Sequence, residues 1–412
     1  MQAENTKSNI ITVVFGCRLN SLEAEKIQSM LAPVLRTAVL VNTCAVTGEA
    51  ERQSAQAIRK IARENPGTPI FVTGCASTRN PHLFAKIPNV LIIPNDKKMV
   101  VRSYTDALAA APVHLADGRP IVAARPAPRM SKQFIQVQNG CNHKCAYCVT
   151  RLLRGPAVSF EYEAILLEAR TAVQNGFSEI VLTGIDIASY ARDGMLISDV
   201  CKNLLRDVPE IKRLRLSSMD PASPEIFKII DLIDTDPRMM PHLHLSMQSG
   251  SDTILAAMGR RHNCALVRRI AEYGAARGVT FSWDIICGFP GETDMLWNET
   301  LALARDVRPI KVHAFPFSPR PGTAAADMPA QVSRDISKRR VKEITAVAKS
   351  ARAEFMRKIV GQSVQVLVEE HNNARCPHDI SVKIVGDAIP ARGVARVQLA
   401  DIDDDTFISH IA

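Results

Sequence analysis

Apolar runs and amphipathic stretches alternate along the first 112 residues of the chain. Short runs rich in β-branched residues favour strands, and the longer stretches between them have the apolar spacing of helices. The predicted elements are strands over 11–15, 38–41, 69–72 and 90–93, and helices over 21–31, 49–64 and 81–87. Strands and helices that alternate in this way predict βαβ units, so we expect an open parallel sheet in residues 1–112.

A second alternating series occupies residues 132–320. Its predicted strands cover 134–137, 180–183, 214–217, 243–247, 281–286 and 311–315. Six strand-helix repeats predict an incomplete (β/α)6 barrel, in which ligands meet the carboxyl ends of the strands. The fold class is therefore α/β. Residues 113–131, between the two series, have the proline and charge content of a linker.

The last third of the chain combines a basic helix with an acidic β domain. Residues 321–360 form a helical connector with its helix over 333–359, and 361–412 form a small β domain with strands over 364–368 and 394–399. From Arg320 to Lys358 there are ten basic residues against four acidic ones, whereas from Gly361 onward there are four against eight. We expect the helix, through residues such as Arg334, Lys338, Arg339, Arg340, Lys342 and Lys349, to be the better contact for phosphate.

The composition of the chain indicates its cellular compartment and the charge of its binding partner. The longest apolar runs are much shorter than the ~20 residues that cross a bilayer, and the polar start lacks the apolar core of a signal peptide. We expect a cytoplasmic protein without membrane contact. In that compartment ten cysteines serve as metal ligands or core thiols rather than as disulfides. The net charge of +9 favours an anionic partner, with nucleic acid first.

The first cysteine motif follows the first strand of the second series. Cys141, Cys145 and Cys148 are spaced C-x3-C-x2-C in one short loop, and we call them the loop triad. Three thiolates on a 4Fe-4S cluster leave one iron open to a substrate or cofactor, which is a feature of catalysis. The alternative is a structural zinc site that also uses His143.

The second cysteine motif is distributed over the first series. Cys17, Cys44 and Cys75 each follow one of the first three predicted strands, and we call them the strand-end triad. Because the carboxyl ends of parallel strands meet at one edge, the three thiols are expected to share a second metal site. The alternative is three buried core cysteines. For the isolated Cys201, Cys264, Cys287 and Cys376 we expect a packing role.

Both triads, and the order of several further strings, resemble the radical S-adenosylmethionine methylthiotransferase family over nearly the whole chain. The strings lie at 182–190, 213–218, 242–251, 258–262, 288–293 and 315–323. The resemblance is strongest to the branch that acts on N6-threonylcarbamoyladenosine in tRNA. It implies two 4Fe-4S clusters, one on each triad, with S-adenosylmethionine bound at the loop cluster. It also implies that the C-terminal β domain corresponds to the family's RNA-binding TRAM domain.

The same resemblance implies the remaining site residues and partners. The residues expected at the S-adenosylmethionine pocket are Tyr147, Thr183, Gly184, Asp186, Ser217 and Gln248. The expected activity is transfer of a methylthio group to carbon 2 of the modified adenosine at position 37 of tRNA. The expected electron donor is a reductant protein such as a flavodoxin or ferredoxin, and the enzyme is expected to be a monomer.

Alternatives remain for the substrate and for the class of protein. Within the family, isopentenyladenosine in tRNA and an aspartate of a ribosomal protein are rival substrates. Outside it, the chain would be an iron-sulfur or zinc RNA-binding protein without turnover. Threonylcarbamoyl carries a carboxylate, so its pocket needs a cation or hydrogen-bond donor. The candidates in strings that match the family are Arg154, Arg260, Arg261 and Arg320.

Overall fold

The computed structural model describes residues 9–16, 18–45, 48–111, 131–386, 390 and 392–411. The chain forms two compact units, Met1–Arg129 with Val149–Pro156, and Met130–Cys148 with Ala157–Ala412. The predicted linker lies outside the described residues except for Ser131, and Cys17 lies outside them too. The short segment after Cys148, which the sequence placed in the second series, thus packs with the first unit.

The first unit is built on a parallel sheet with strand order β1-β2-β3-β4. Its elements are β1 (Asn9–Val14), α1 (Arg18–Leu31), β2 (Thr37–Thr43), α2 (Gly48–Glu64), β3 (Ile70–Gly74), α3 (Cys75–Arg79), α4 (His82–Ala85), β4 (Val90–Ile92), α5 (Val101–Ala109) and α6 (Thr150–Arg154). The predicted open parallel sheet is therefore confirmed.

Alternation along β2 explains how this sheet is covered on both faces. Ala38 and Leu40 pack in one apolar cluster with α1 and α5, whereas Val39 and Val41 pack in another with α2 and α4. Successive side chains of a strand point to opposite faces, so a continuous apolar run serves both clusters. Since all four strands run in one direction, their carboxyl ends share one edge.

The second unit begins with two three-stranded parallel sheets, β11-β8-β5 and β12-β13-β14. Its elements up to this point are β5 (Lys132–Gln136), β6 (Gln138–Asn139), β7 (Val158–Ser159), α7 (Tyr162–Gln174), β8 (Glu179–Thr183), β9 (Ala191–Arg192), β10 (Met195–Leu196), α8 (Ile197–Asp207), β11 (Arg213–Leu216), α9 (Glu225–Thr235), β12 (His242–Gln248), α10 (Asp252–Ala257), α11 (Cys264–Ala275), β13 (Thr280–Cys287), α12 (Asp294–Val307) and β14 (Lys311–Pro316).

Single parallel bridges join the two sheets, from Leu214 to Met239 and from Met219 to Leu245. The six strands therefore form one curved series, and the expected incomplete (β/α)6 barrel is confirmed. Outward-facing residues such as Ile180, Leu182 and Trp283 pack against the helices in one large core. The isolated cysteines Cys201, Cys264, Cys287 and Cys376 are all buried, as expected for packing residues.

A long helix and a closed β barrel complete the second unit. They consist of α13 (Arg334–Ile359), β15 (Ser363–Glu370), β16 (Asn373–Arg375), β17 (Ser381–Val385), β18 (Gly393–Asp403) and β19 (Thr406–Ile411). The strand order is β15-β16-β17-β19-β18, with Val366, Val397 and Phe407 in the interior. The predicted C-terminal β domain is confirmed.

Buried ionic contacts hold this C-terminal barrel to the amino ends of the (β/α)6 strands. Arg213, the first residue of β11, donates to the carbonyl oxygens of Gln365 (3.1 Å) and Cys376 (3.3 Å). Its Nε also lies 2.7 Å from a carboxylate oxygen of Glu179, the first residue of β8. The C-terminal barrel therefore covers the end of the (β/α)6 barrel opposite to the loop triad.

Candidate active site

The loop triad lies beyond the carboxyl end of β5, on a loop that leaves the β6–β7 hairpin. All three thiols are partly exposed, and none is in a disulfide. The loop is fastened at its centre, because the backbone N–H of Ala146 donates to the carbonyl oxygen of Met258 (2.9 Å). A Cβ at Gly259 would lie 3.3 Å from the carbonyl oxygen of Lys144, so a small residue is favoured there. The 258–262 string thus supports the cysteine loop.

Gln138, which sequence reasoning did not identify, ties this loop to the end of β8. Its Oε1 accepts hydrogen bonds from the backbone N–H groups of Ile185 (3.1 Å) and Asp186 (2.8 Å), and its Nε2 donates to the carbonyl oxygen of Gly140 (2.7 Å). A Cβ at Gly184 would lie only 2.7 Å from the carbonyl oxygen of Gln138. Gly184 is therefore needed for this close approach. The available sequence signal was a glutamine directly after the predicted strand 134–137 and three positions before Cys141.

Arg260 lies against the sulfur of the second cysteine. Its Nη1 is 3.6 Å from Cys145 Sγ, while its Nη2 donates to Asp220 (3.0 Å) and to the carbonyl oxygen of Ser246 (2.9 Å). Burial opposes ionisation of Asp220, but Arg260 and Arg261 outweigh it and lower the pKa of that carboxyl. Hydrogen bonds to cluster sulfurs are one way in which a protein sets the reduction potential.

His143 and Asp186 lie beside the first cysteine. His143 Nε2 is 2.7 Å from an oxygen of Asp186, and these ligand atoms and Cys141 Sγ all lie within 4.8 Å of one another. Burial raises the pKa of the Cys141 thiol to about 11. Three partly exposed thiols on one short loop are donors that fit a metal cluster. The same donor set is compatible with zinc, so geometry alone leaves the choice of metal open.

The residues expected to bind S-adenosylmethionine lie at adjacent strand ends. Thr183 ends β8, Ser217 follows β11, and Gln248 ends β12. Among the described residues, the buried Ser217 hydroxyl has no hydrogen-bond partner, which fits a polar ligand. Gln248 has a φ of +72°, a strained conformation that is common at ligand sites. Tyr147 packs under the loop against Ile254 and Phe289.

Two members of the strand-end triad are buried at the carboxyl edge of the first unit's sheet. Cys44 follows β2, and Cys75 begins α3 directly after β3. Gly16 has a φ of +91°, and a Cβ there would lie 2.3 Å from Cys44 Sγ. The residue before Cys17 is thus in contact with Cys44, although Cys17 itself lies outside the described residues. The close approach of the Gly16 backbone to Cys44 is compatible with a metal site shared by the cysteines of this edge.

Asparagine side chains fasten the loops of this second site. Asn20 Nδ2 donates to the carbonyl oxygens of Phe15 (2.9 Å) and Thr43 (3.1 Å), and Asn42 Nδ2 donates to the carbonyl oxygen of Asn20 (2.9 Å). The residues bonded by Asn20 lie close to Cys17 and Cys44 in the sequence. Asn20 therefore joins the two loops that carry these cysteines.

A buried ionic group lies next to these asparagines and was not expected from the sequence. Glu23 contacts Lys98 Nζ (2.6 Å) and Arg154 Nη1 (2.7 Å), and all three side chains are at most 3% exposed. Burial lowers the pKa of Lys98, whereas Glu23 and Cys75 act in the opposite direction. Burial raises the pKa of Glu23, but Lys98 and Arg154 outweigh it and lower that pKa.

The candidate arginines differ in exposure. Arg154, Arg260 and Arg320 are buried, whereas the Arg261 side chain is 53% exposed and donates to Asp220 (2.8 Å). Arg340, expected at a phosphate, is also buried, with its Nη1 2.8 Å from Glu292. Its position on the inner side of α13 removes it from any phosphate-binding surface. Lys338 and Lys342 on the same helix are exposed.

No helix in the described part of the chain combines the length and apolar character needed to span a membrane.

Comparisons with known proteins agree with this architecture. Residues 135–304 match a model of the Radical SAM superfamily, and residues 9–93 match the Uncharacterized protein family UPF0004. A solved radical S-adenosylmethionine methyltransferase, TsrM from Kitasatospora setae, has a similar fold with a TM-score of 0.55 and 15% identity, covering 77% of each chain.

Curated relatives extend over most of the chain. The threonylcarbamoyladenosine tRNA methylthiotransferase MtaB of Rickettsia prowazekii is 37% identical, with 92% of each chain covered. The tRNA-2-methylthio-N(6)-dimethylallyladenosine synthase of Erythrobacter litoralis is 31% identical, with 86% of this chain and 85% of that protein covered. The chain therefore belongs to the radical S-adenosylmethionine methylthiotransferases, enzymes that carry two 4Fe-4S clusters and use S-adenosylmethionine.

Proposed function

We propose that this enzyme adds a methylthio group to carbon 2 of N6-threonylcarbamoyladenosine at position 37 of tRNA. The observation that carries the proposal is the presence of two separate thiol sites, one at the strand ends of each compact unit. We infer the substrate from the relatives. This chain shares more sequence identity with the threonylcarbamoyladenosine enzyme of Rickettsia prowazekii than with the dimethylallyladenosine enzyme of Erythrobacter litoralis. Membership of the family is not consistent with a zinc or iron-sulfur protein without turnover.

Each triad holds one 4Fe-4S cluster in this proposal. When bound, the loop cluster supplies the electron that cleaves S-adenosylmethionine to a 5'-deoxyadenosyl radical, and the second cluster holds the sulfur that is transferred. Adenine carbon 2 is not activated, so a radical route is required.

The protein's own groups hold and orient these components. Gln138 fixes the start of the cysteine loop relative to the 184–186 turn, and Arg260 donates to Cys145. Ser217 offers bound S-adenosylmethionine a hydroxyl that has no hydrogen-bond partner among the described residues. Thr183, Gly184, Asp186, Gln248 and Tyr147 are the other residues assigned to this pocket. Arg261, with its exposed side chain beside the loop, is the arginine available for the threonylcarbamoyl carboxylate.

The partners follow from the same proposal. tRNA is the substrate, a flavodoxin or ferredoxin delivers the electron, and the enzyme acts as a monomer in the cytoplasm. Exposed lysines of α13, rather than the acidic C-terminal barrel, bind tRNA phosphates. The chain's domains are residues 1–112, 132–320 and 361–412, with 113–131 and 321–360 as connecting segments.

Mass spectrometry of tRNA nucleosides from cells with and without this gene tests reaction and substrate together. Loss of 2-methylthio-N6-threonylcarbamoyladenosine, with accumulation of its unmethylthiolated precursor, is expected in the deletion strain. Loss of a methylthiolated isopentenyladenosine instead would assign the chain to the neighbouring branch. An unchanged tRNA profile would favour the ribosomal-protein substrate.

A further inference from the structure

The buried ionic group of Glu23, Lys98 and Arg154 lies at the same sheet edge as Cys44 and Cys75. Lys98 Nζ donates to Asn95 Oδ1 (2.7 Å), and the backbone N–H of Asn95 donates to Thr78 Oγ1 (3.0 Å) in α3, the helix that begins with Cys75. Arg154 Nη2 donates to Asn20 Oδ1 (2.8 Å). Asn20 in turn bonds the loops before Cys17 and Cys44. Arg154 is therefore connected through Asn20 to the backbone before Cys44, and Lys98 through Asn95 to the helix that begins with Cys75.

The charges of this group suit an anionic neighbour. Both buried cations, Lys98 and Arg154, contact the carboxylate of Glu23. Buried charges are costly unless opposite charge lies near them. Three cysteine thiolates, and any anionic sulfur bound to the open iron of their cluster, bring negative charge to this edge. A cluster in this position therefore places opposite charge near both cations.

Arg154 reaches this group through an unusual chain path. It lies in α6, within the segment Val149–Pro156 that directly follows the last cysteine of the loop triad but packs in the first unit. Its side chain is 2% exposed. The segment thereby brings a buried guanidinium to Glu23, while its Leu153 packs against the apolar cluster of the first unit.

We propose that Glu23, Lys98 and Arg154 form the electrostatic seat of the second cluster, in which the two cations stabilise its thiolates and an anionic sulfur ligand on its open iron. This inference rests on the proposed function, because it requires a cluster on the strand-end triad. Glu23 holds both cations in place and limits their net effect. The three residues are positioning residues, since they act through the cluster ligands.

The test uses the full chain with the loop triad replaced by alanine, so that only the second cluster remains. Methanethiolate is the probe, and its binding is followed through the EPR spectrum of the reduced, reconstituted cluster. Lys98→Met should weaken methanethiolate binding on the order of tenfold, because it removes one nearby unit charge in a region with an effective dielectric of about 20. Glu23→Gln should strengthen it, because it removes a negative charge. Arg154→Lys keeps the positive charge, so its methanethiolate affinity should stay close to that of the parent.

If Lys98→Met lowers the methanethiolate affinity and Glu23→Gln raises it, the role of these residues is electrostatic and not purely structural. Arg340→Met is the matched control, since it breaks a similarly buried ion pair with Glu292 in the second unit and should not change the spectrum or the affinity. Changes of the same sign in both variants, unchanged affinity in both, or loss of iron in every variant including Arg154→Lys would overturn the proposal.

The iron content of the parent separates this proposal from the proposed function. If the chain without the loop triad binds about four irons and the charge variants do not respond as expected, the electrostatic seat alone is wrong. If that parent binds no iron, the strand-end triad holds no cluster, and both proposals fail.

Discussion

Replacing Gly184 with alanine tests how the end of β8 is coupled to the cysteine loop. The added Cβ would lie 2.7 Å from the carbonyl oxygen of Gln138, 3.0 Å from its Oε1 and 3.0 Å from Ile187 Cγ2. The closest of these atoms belongs to the backbone, so it cannot turn away as a flexible side chain would. The 184–186 turn must therefore move away from Gln138.

The cost follows from these contacts. Overpacking of this kind costs about 1–3 kcal/mol, and loss of one of the hydrogen bonds that Gln138 Oε1 accepts adds about 1 kcal/mol. We expect the variant to lose roughly 2–4 kcal/mol of stability. Because Asp186 and Thr183 flank the displaced turn, affinity for S-adenosylmethionine should fall by about tenfold, equivalent to ~1.4 kcal/mol.

Calorimetric titration of S-adenosylmethionine into the anaerobically reconstituted enzyme, together with thermal unfolding, measures both effects. Gly274→Ala is the matched control, because its Cβ would lie 2.5 Å from Phe281 Cζ, near the amino end of β13 and away from the ligand edge. That variant should lose stability but keep its affinity. If Gly184→Ala is destabilised yet binds S-adenosylmethionine as tightly as Gly274→Ala, the coupling through Gln138 is refuted.

Three further predictions concern the clusters, the tRNA interface and a buried ion pair. Alanine replacement of the loop triad should abolish formation of 5'-deoxyadenosine, whereas replacement of the strand-end triad should preserve it and eliminate only methylthiolated product; product from the latter variant, by chromatography, would contradict the cluster assignment. Neutralising Lys338 and Lys342 should weaken tRNA binding in filter assays and reduce its salt slope by up to about 0.9 for each phosphate that the helix no longer neutralises, whereas Arg340→Gln should mainly reduce stability. Glu179→Gln leaves Arg213 buried without its carboxylate, at a cost of about 3–5 kcal/mol. Because the pKa of Glu179 is about 2 in the folded protein, where its arginine partners outweigh burial, this contribution should be present above about pH 4.5 and disappear as the pH falls toward 2, as urea unfolding at several pH values would show.

The strands of both units were predictable because their apolar runs are local signals. The six barrel strands begin and end within two residues of their predicted bounds, as expected where β-branched runs end at glycine or polar residues. The strand-end placement of Cys44 and Cys75 followed from the same alternation, since parallel strands bring their carboxyl ends together.

The side-chain networks could not be predicted in the same way. Lys98 and Arg154 are far from Glu23 in sequence and lie in segments with no charge pattern, so only the folded chain brings them together. Arg340 is a case in which a local charge pattern misled. A basic run on a helix predicts a solvated face, yet this guanidinium is buried against Glu292. Such pairs depend on the packing of neighbouring elements, which local periodicity does not encode.

The choice of substrate can be decided with the purified, reconstituted enzyme acting on tRNAs that differ only at position 37. With S-adenosylmethionine and a reductant, nucleoside mass spectrometry should show 2-methylthio-N6-threonylcarbamoyladenosine from tRNA that carries threonylcarbamoyladenosine. It should show no methylthiolated product from tRNA with unmodified adenosine or isopentenyladenosine, because a pocket with a donor for the carboxylate rejects an apolar group. Comparable turnover on isopentenylated tRNA would contradict the proposed function, as would failure to convert the threonylcarbamoylated tRNA while 5'-deoxyadenosine is formed.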